Sequence, residues 1–286
     1  MSFHIITDSC CDLPESLTST YQDLDIVNLT FTIDGEPAPS GMTGKEFYDR
    51  LRKGSISKTS QANPEDFVTV YKKALEKGKD ILYIGFSSAL SGTLESGRRA
   101  VEIIGQTTYP GRRIITVDSL SAALGLGFLV DSAIRLRDSG KNLEEVFNWL
   151  ESNKLKVNHW FTVNDLHFLQ RGGRITLGTA WLGSVLNIKP VMNVDDLGRL
   201  IPREKALGRN KAIHRLVQKM KELAVDPGNQ RIFICHGDCL EDAEMLVELI
   251  RKTFGTKEFV INDVGPVIGS HSGPGTLALF FMGAHR

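Results

Sequence analysis

The chain predicts an α/β protein of two domains: residues 1–156 as a three-layer α/β/α domain on a mainly parallel sheet, and 157–286 as an α/β domain with a mixed or antiparallel sheet. Three observations carry this. Before residue 156, short apolar runs alternate with stretches of helical period, the βαβ pattern of a parallel sheet covered by helices. Beyond it, segments 188–194 and 199–204 flank Asp195-Asp196-Leu197-Gly198, a hairpin signal that brings antiparallel pairing into the second half. A chain of 286 residues with 41% hydrophobic content also suffices for two cores.

In the first half, 3–7 reads as a strand ending in Thr7-Asp8-Ser9, a polar loop expected to line a cleft, and Pro14 starts a helix. Alternation over 26–33 before Asp34-Gly35 predicts an edge ribbon. Thr43 and Glu46 form a capping box for the helix carrying Phe47 and Leu51. Thr59, Ser60 and Gln61 then read as a loop entering a helix that Asn63 caps and Pro64 begins, running to about Lys77. Strands at 81–84 and 113–117 follow. The first leads to a helix with Leu94, Arg98, Val101 and Ile104 on one face, and the second to one rich in small residues, including Ala122, Ala123, Gly125 and Gly127. A further helix starts at Asn142, with Glu145 completing its cap.

In the second half, 157–162 is a strand and Asn164 caps a helix that Gly172 and Gly173 end, which presents Arg171 and Arg174 on a turn. Segment 177–186 reads as another helix. After the hairpin come helices over 209–224 and 240–254, with strands at 231–235 and 258–261. Four glycines and two prolines over 265–275 predict an unusual backbone path around His271, before a last apolar segment.

Charge and cysteine usage narrow the function classes. The formal net charge is +0, so no long-range field favours nucleic acid, and membrane contact is expected to be transient at most. No basic and apolar leader pattern opens the sequence, and the longest apolar stretches, such as 277–282, fall far short of a bilayer span, so a soluble cytoplasmic protein is expected. Cys10, Cys11, Cys235 and Cys239 have no framework spacing and are expected as reduced thiols. Cys235-His236-Gly237-Asp238-Cys239 offers zinc-type ligands without a second pair at finger-like spacing, so neither metal nor cofactor is expected.

The most informative stretch is 81–93, where a buried strand ends in Ser87-Ser88-Ala89-Leu90-Ser91-Gly92-Thr93 and a helix begins. Orphan backbone N–H groups, the helix dipole and several hydroxyls converge there, at the carboxyl end of a strand where open α/β sheets bind ligands. The chemistry suits a carboxylate or a phosphate. A plain helix cap would use only one of those hydroxyls. A nucleophile elbow at Gly85-Phe86-Ser87-Ser88-Ala89 lacks the final glycine and the acid-then-histidine order. A self-contained phosphoryl-transfer enzyme is the alternative reading, although no G-x-x-x-x-G-K-[ST] motif accompanies the loop.

Thr59-Ser60-Gln61, Ser87-Ser88-x-Leu90-Ser91-Gly92-Thr93, Leu166-x-x-Leu169-x-Arg171-Gly172-Gly173-Arg174, Lys189-Pro190 and Ile268-Gly269-x-His271-x-Gly273-Pro274-Gly275 together resemble the ordered motif set of the DegV family, a match spanning nearly the whole chain. Thr7-Asp8-Ser9 also fits, while Ala62 stands where the family usually has proline. The resemblance implies a bacterial two-domain protein that binds one long-chain fatty acid, its carboxylate between the domains and its acyl chain in an apolar tunnel. It further implies no enzymatic activity alone: the loaded protein presents the carboxylate to a separate ATP-dependent fatty acid kinase, giving acyl phosphate for phospholipid synthesis. Carried over by position, Thr59 and Ser91 would bind the carboxylate, with Ser60, Gly92 and Thr93 adjacent and His271 closing the site. Arg171 and Arg174 would serve kinase docking or phosphoryl transfer. A lipid-sensing regulator without a kinase partner is the other class consistent with these motifs.

Overall fold

The computed structural model describes residues 3–105, 108–176 and 187–286, so the helix expected over 177–186 lies outside the described residues. In chain order the elements begin with β1 (His4–Asp8), α1 (Glu15–Thr18), β2 (Leu24–Val27), β3 (Thr30–Ile33), β4 (Glu36–Pro37), α2 (Gly44–Arg52) and β5 (Ser57–Ser60). Then come α3 (Pro64–Glu76), β6 (Ile81–Gly85), α4 (Thr93–Ile104), β7 (Ile114–Asp118), α5 (Leu124–Asp138) and α6 (Leu143–Asn153). The second half holds β8 (Val157–Thr162), α7 (His167–Arg171), β9 (Ile188–Val194), β10 (Leu200–Leu207) and α8 (Arg209–Leu223). It ends with β11 (Arg231–His236), α9 (Leu240–Phe254), β12 (Glu258–Asp263), α10 (Pro266–Ser272) and β13 (Leu277–Met282).

Two compact units result, one formed by residues 1–30 and 60–154 and the other by 31–59 and 155–286. The division expected at 156 therefore needs an amendment, because 31–59 departs from the N-terminal half and joins the second unit. Its anchors are specific. The Tyr48 hydroxyl donates to the Val264 carbonyl at 2.7 Å, and the Arg52 guanidinium donates to the Asp238 carbonyl at 2.9 Å.

The first unit is built on a sheet ordered β2-β1-β6-β7, parallel throughout. All five residues of β1 and all five of β6 are buried, which requires cover on both faces and explains their unbroken apolar character. Helices α3 and α4 pack together, as do α5 and α6, and each pair packs on the sheet. Close approach of α4 to β6 depends on Gly97, where a Cβ would come within 2.5 Å of the Tyr83 ring.

The second unit has a six-stranded sheet ordered β10-β9-β8-β13-β11-β12, in which only β11 and β12 are parallel. Helices α8 and α9 bury one face with a core that includes Trp160, Leu216, Met220, Ile234, Leu246 and Leu279. A smaller sheet, β4-β3-β5, accompanies α2. The capping boxes at Thr43/Glu46 and Asn142/Glu145 are present as expected.

Several local expectations change. The ribbon expected over 26–33 splits into β2, which pairs parallel with β1, and β3, and the Ser9 hydroxyl accepts the Leu29 amide at 3.0 Å between them. Thr59 and Ser60 lie at the end of a strand rather than in a loop. Leu166, not Asn164, holds the N-cap position of α7, and Asp165 just before it accepts the His167 amide at 2.9 Å. The glycine-rich tail contains a helix, α10, that Pro266 begins. Among the described residues no helix is long and apolar enough to cross a membrane.

Candidate functional site

In the first unit, β6 delivers the chain into a tight turn in which the Leu90 and Ser91 amides donate to the Ser87 carbonyl at 3.0 and 3.2 Å. The turn ends at Gly92, the N-cap of α4, which has no side chain to satisfy the first amides of the helix. Ser91 Oγ accepts the Thr93 amide at 3.2 Å and lies 2.9 Å from the Thr93 hydroxyl. Three of the predicted anion-binding residues are thus gathered on one helix terminus. Ser88 is not among them, since its amide and hydroxyl both turn to the Asp118 carboxylate.

Two residues outside that predicted set shape the turn. A Cβ on Gly92 would come within 2.2 Å of the Gln61 side-chain oxygen, and the Gln61 amide donates to Ser96 Oγ at 3.1 Å, so Gln61 holds the first turn of α4 through the space that glycine leaves open. Asp8, fully buried at the end of β1, accepts the Phe86 amide at 2.8 Å, the Tyr83 hydroxyl at 3.2 Å and the Cys10 amide at 3.1 Å. Desolvation raises its pKa from 3.8 to about 6. The cleft-lining roles expected of Asp8 and Ser9 are replaced by roles in holding the backbone, since Ser9 is engaged by Leu29.

In the second unit, Thr59 Oγ1 lies 2.8 Å from His271 Nε2. One strand position back along the same face, the Ser57 and Ser270 hydroxyls lie 2.6 Å apart. Ser60 falls on the opposite face of β5 by the two-residue period and is exposed, so the strand separates it from the Thr59–His271 pair. Burial, reinforced by the positive charges of Arg174 and Arg171, lowers the His271 pKa from 6.5 to about 4, which keeps the ring neutral near pH 7. Among the described residues its buried Nδ1 has no hydrogen-bond partner, and it stands against Gly172. A proton there would be a buried donor with no acceptor, so the lower-cost tautomer carries its proton on Nε2, donates to Thr59 Oγ1 and leaves the Thr59 hydroxyl proton free to donate elsewhere.

The remaining motifs also converge in this unit. The Asn164 side chain lies where a Cβ on Gly275 would stand, and the Asn164 carbonyl accepts from the Lys189 ammonium at 3.3 Å. Arg171 is exposed and lies over the Phe168 ring, 4.8 Å from its centroid. Arg174 is half-buried and donates to the Gly172 carbonyl, which makes it part of the turn. The Cys235–Cys239 stretch is arranged for packing: Cys235 is buried, and the Cys239 thiol donates to the Thr276 carbonyl at 3.3 Å. Among the described residues no group of three or more metal-ligating side chains comes together.

The parallel α/β unit thus carries a hydroxyl-lined helix terminus, and the mixed-sheet unit a Thr–His pair. The chain belongs to the DegV family: the family model, described as an uncharacterised protein of the DegV family, matches residues 2–284. A DegV domain-containing protein of Clostridium perfringens is 44% identical over 287 residues, covering 98% of this chain and 97% of that protein. A Thermus thermophilus DegV family structure, described for its fatty acid binding, matches with a TM-score of 0.87 and 32% identity over 99% of this chain and 100% of the other. DegV from Bacillus subtilis, described as a fatty acid binding protein, matches at 0.85 and 28% identity over 99% of both chains.

Proposed function

We propose that this protein binds one long-chain fatty acid and presents its carboxylate to a separate ATP-dependent fatty acid kinase. The observation that carries the reading is the start of α4, where the N-cap Gly92 offers no side chain and the Ser91 and Thr93 hydroxyls, 2.9 Å apart, stand at the first amides of the helix, Ser91 Oγ accepting that of Thr93. Such donors satisfy a carboxylate without locking it in an ion pair. Affinity comes from the acyl chain: about sixteen carbons at ~0.8 kcal/mol per methylene contribute on the order of 12 kcal/mol before ordering costs. Thr59, Gly92 and His271 complete the proposed carboxylate set, and Ser60, on the other face of β5, is left out of it. The carboxylate oxygen then attacks the γ-phosphorus of ATP held by the kinase, the bond to ADP breaks, and acyl phosphate forms. Arg171, with Arg174 supporting its turn, serves docking or charge stabilisation in that transfer. The fatty acid binding described for the Thermus thermophilus and Bacillus subtilis relatives supports the lipid half of this reading.

Native mass spectrometry of the purified protein, followed by extraction and identification of carried lipid, tests it. One fatty acid per chain is expected, and Ser91→Ala should lower the retained fraction or the rate of kinase-dependent phosphorylation. An apo mass that persists after incubation with oleate and palmitate would sink the lipid reading. ATP turnover by the chain alone would replace it with a self-contained phosphoryl-transfer activity, and lipid binding without kinase-dependent acyl phosphate would leave a lipid-sensing regulator.

A further inference from the structure

We infer that Phe168 is a positioning residue for Arg171, held in place by the glycine that ends α10; the inference rests on the proposed role of Arg171 in transfer. Arg171 is exposed, and among the described residues it forms no ion pair, so its guanidinium is oriented by the Phe168 ring 4.8 Å beneath it. That ring is itself seated. Gly273, at φ +77°, is the C-cap of α10, and a Cβ there would lie 2.7 Å from both Cγ and Cδ2 of Phe168. The ring therefore rests against the Gly273 backbone, in space that any side chain would fill.

The contact is reciprocated one turn away. Gly172, next to Arg171, leaves the space into which the His271 ring fits, with a Cβ at 172 falling 2.2 Å from His271 Nδ1. Each helix thus ends in a glycine that receives an aromatic ring from the other: Phe168 of α7 on Gly273, and His271 of α10 on Gly172. Arg171 lies between the two contacts along α7. Its side chain is directed by the same interlock that holds His271 against Thr59.

The test compares Phe168→Leu, Phe168→Tyr, Arg171→Ala and the double variant Phe168→Leu/Arg171→Ala, each loaded with oleate. Phe168→Leu fills the seat but removes the π-face. It is expected to keep the oleate load, to lose the upfield ring-current shift of the Arg171 side-chain protons in NMR spectra, and to lower the kinase-dependent phosphorylation rate by about two- to fivefold, the range of a partly exposed cation–π contact. Phe168→Tyr should restore both signals, and the double variant should be no slower than Arg171→Ala alone. An unchanged Arg171 spectrum in Phe168→Leu, or an unchanged rate where Arg171→Ala is impaired, overturns the positioning role. So does loss of oleate, which would make the ring a ligand contact. If Arg171→Ala leaves the rate unaltered while the ring-current signal disappears in Phe168→Leu, the positioning is upheld and the transfer role of Arg171 fails.

Discussion

Alanine at position 172 displaces the His271 ring, and the His271 titration moves from about 4 back toward 6.5. Gly172 has φ −73° and ψ −6°, a helical geometry that alanine adopts without strain, so the substitution acts through the added methyl alone. That methyl would stand 2.2 Å from His271 Nδ1 and 3.1 Å from Cγ, well inside van der Waals contact. Because the ring is held at its far side by Thr59, it can yield only by leaving that hydrogen bond. Moving outward relieves the desolvation that is the largest cause of its depressed pKa.

The global cost should be small, since replacing an unstrained glycine with alanine stabilises by about 0.4–1 kcal/mol through the unfolded chain, which offsets part of the lost contact. A histidine C2-proton titration by NMR reads the effect directly, and retention of oleate should fall in step because Thr59 loses the partner that frees its proton. An unchanged titration near pH 4 would mean that α7 shifts as a body and carries its glycine away from the ring.

How far the chain could be read from sequence depends on how local the governing interaction is. The capping boxes, the buried strands β1 and β6 and the hairpin at 195–198 are set by residues within a few positions of one another, and all are found as expected. The hydroxyl loop at 87–93 was also legible as a helix terminus, but composition counted Ser88 as a donor, whereas Asp118, thirty residues on, turns it away. Thr59 and His271 stand 212 positions apart, and nothing in either neighbourhood names the other. The glycines of the Arg-Gly-Gly-Arg and Gly-Pro-Gly motifs announced unusual backbone, yet two of them, Gly172 and Gly273, matter for the rings they admit, and those rings lie about a hundred residues away. Segment 31–59 looked like an edge ribbon and helix of the first domain because its local pattern fits either unit. Long-range bonds, those of Tyr48, Arg52, Ser57 and Thr59 among them, decide that it joins the second.

Asp8→Asn and His271→Gln should tilt the stability–pH profile in opposite directions, each by up to about 3 kcal/mol between roughly pH 4 and 6.5. Asp8 has a folded-state pKa of about 6 against 3.8 for an ordinary aspartate. Native protein therefore holds a proton that the unfolded chain releases across that interval. Its contribution is complete below about pH 4 and is lost as pH rises through 6. His271 works the other way, with a folded-state pKa of about 4 against 6.5. There the unfolded chain takes up the proton first, so the contribution is present above pH 6.5 and is lost as pH falls through 4. In the native sequence the two nearly cancel. Asparagine at 8 keeps a carbonyl acceptor for the Phe86 amide while removing the titration, so urea midpoints should rise more steeply with pH than in the parent protein. Glutamine at 271 removes the opposing term, and stability should then fall as pH rises from about 4 to about 6. The other buried histidines, such as His159, whose pKa burial also lowers, contribute the same slope to all three proteins and drop out of the comparison. Parallel profiles for the parent and Asp8→Asn would show that Asp8 is solvated well enough to titrate as an exposed carboxylate, and the three hydrogen bonds that fix the start of the 86–93 turn would lose their claim to be buried.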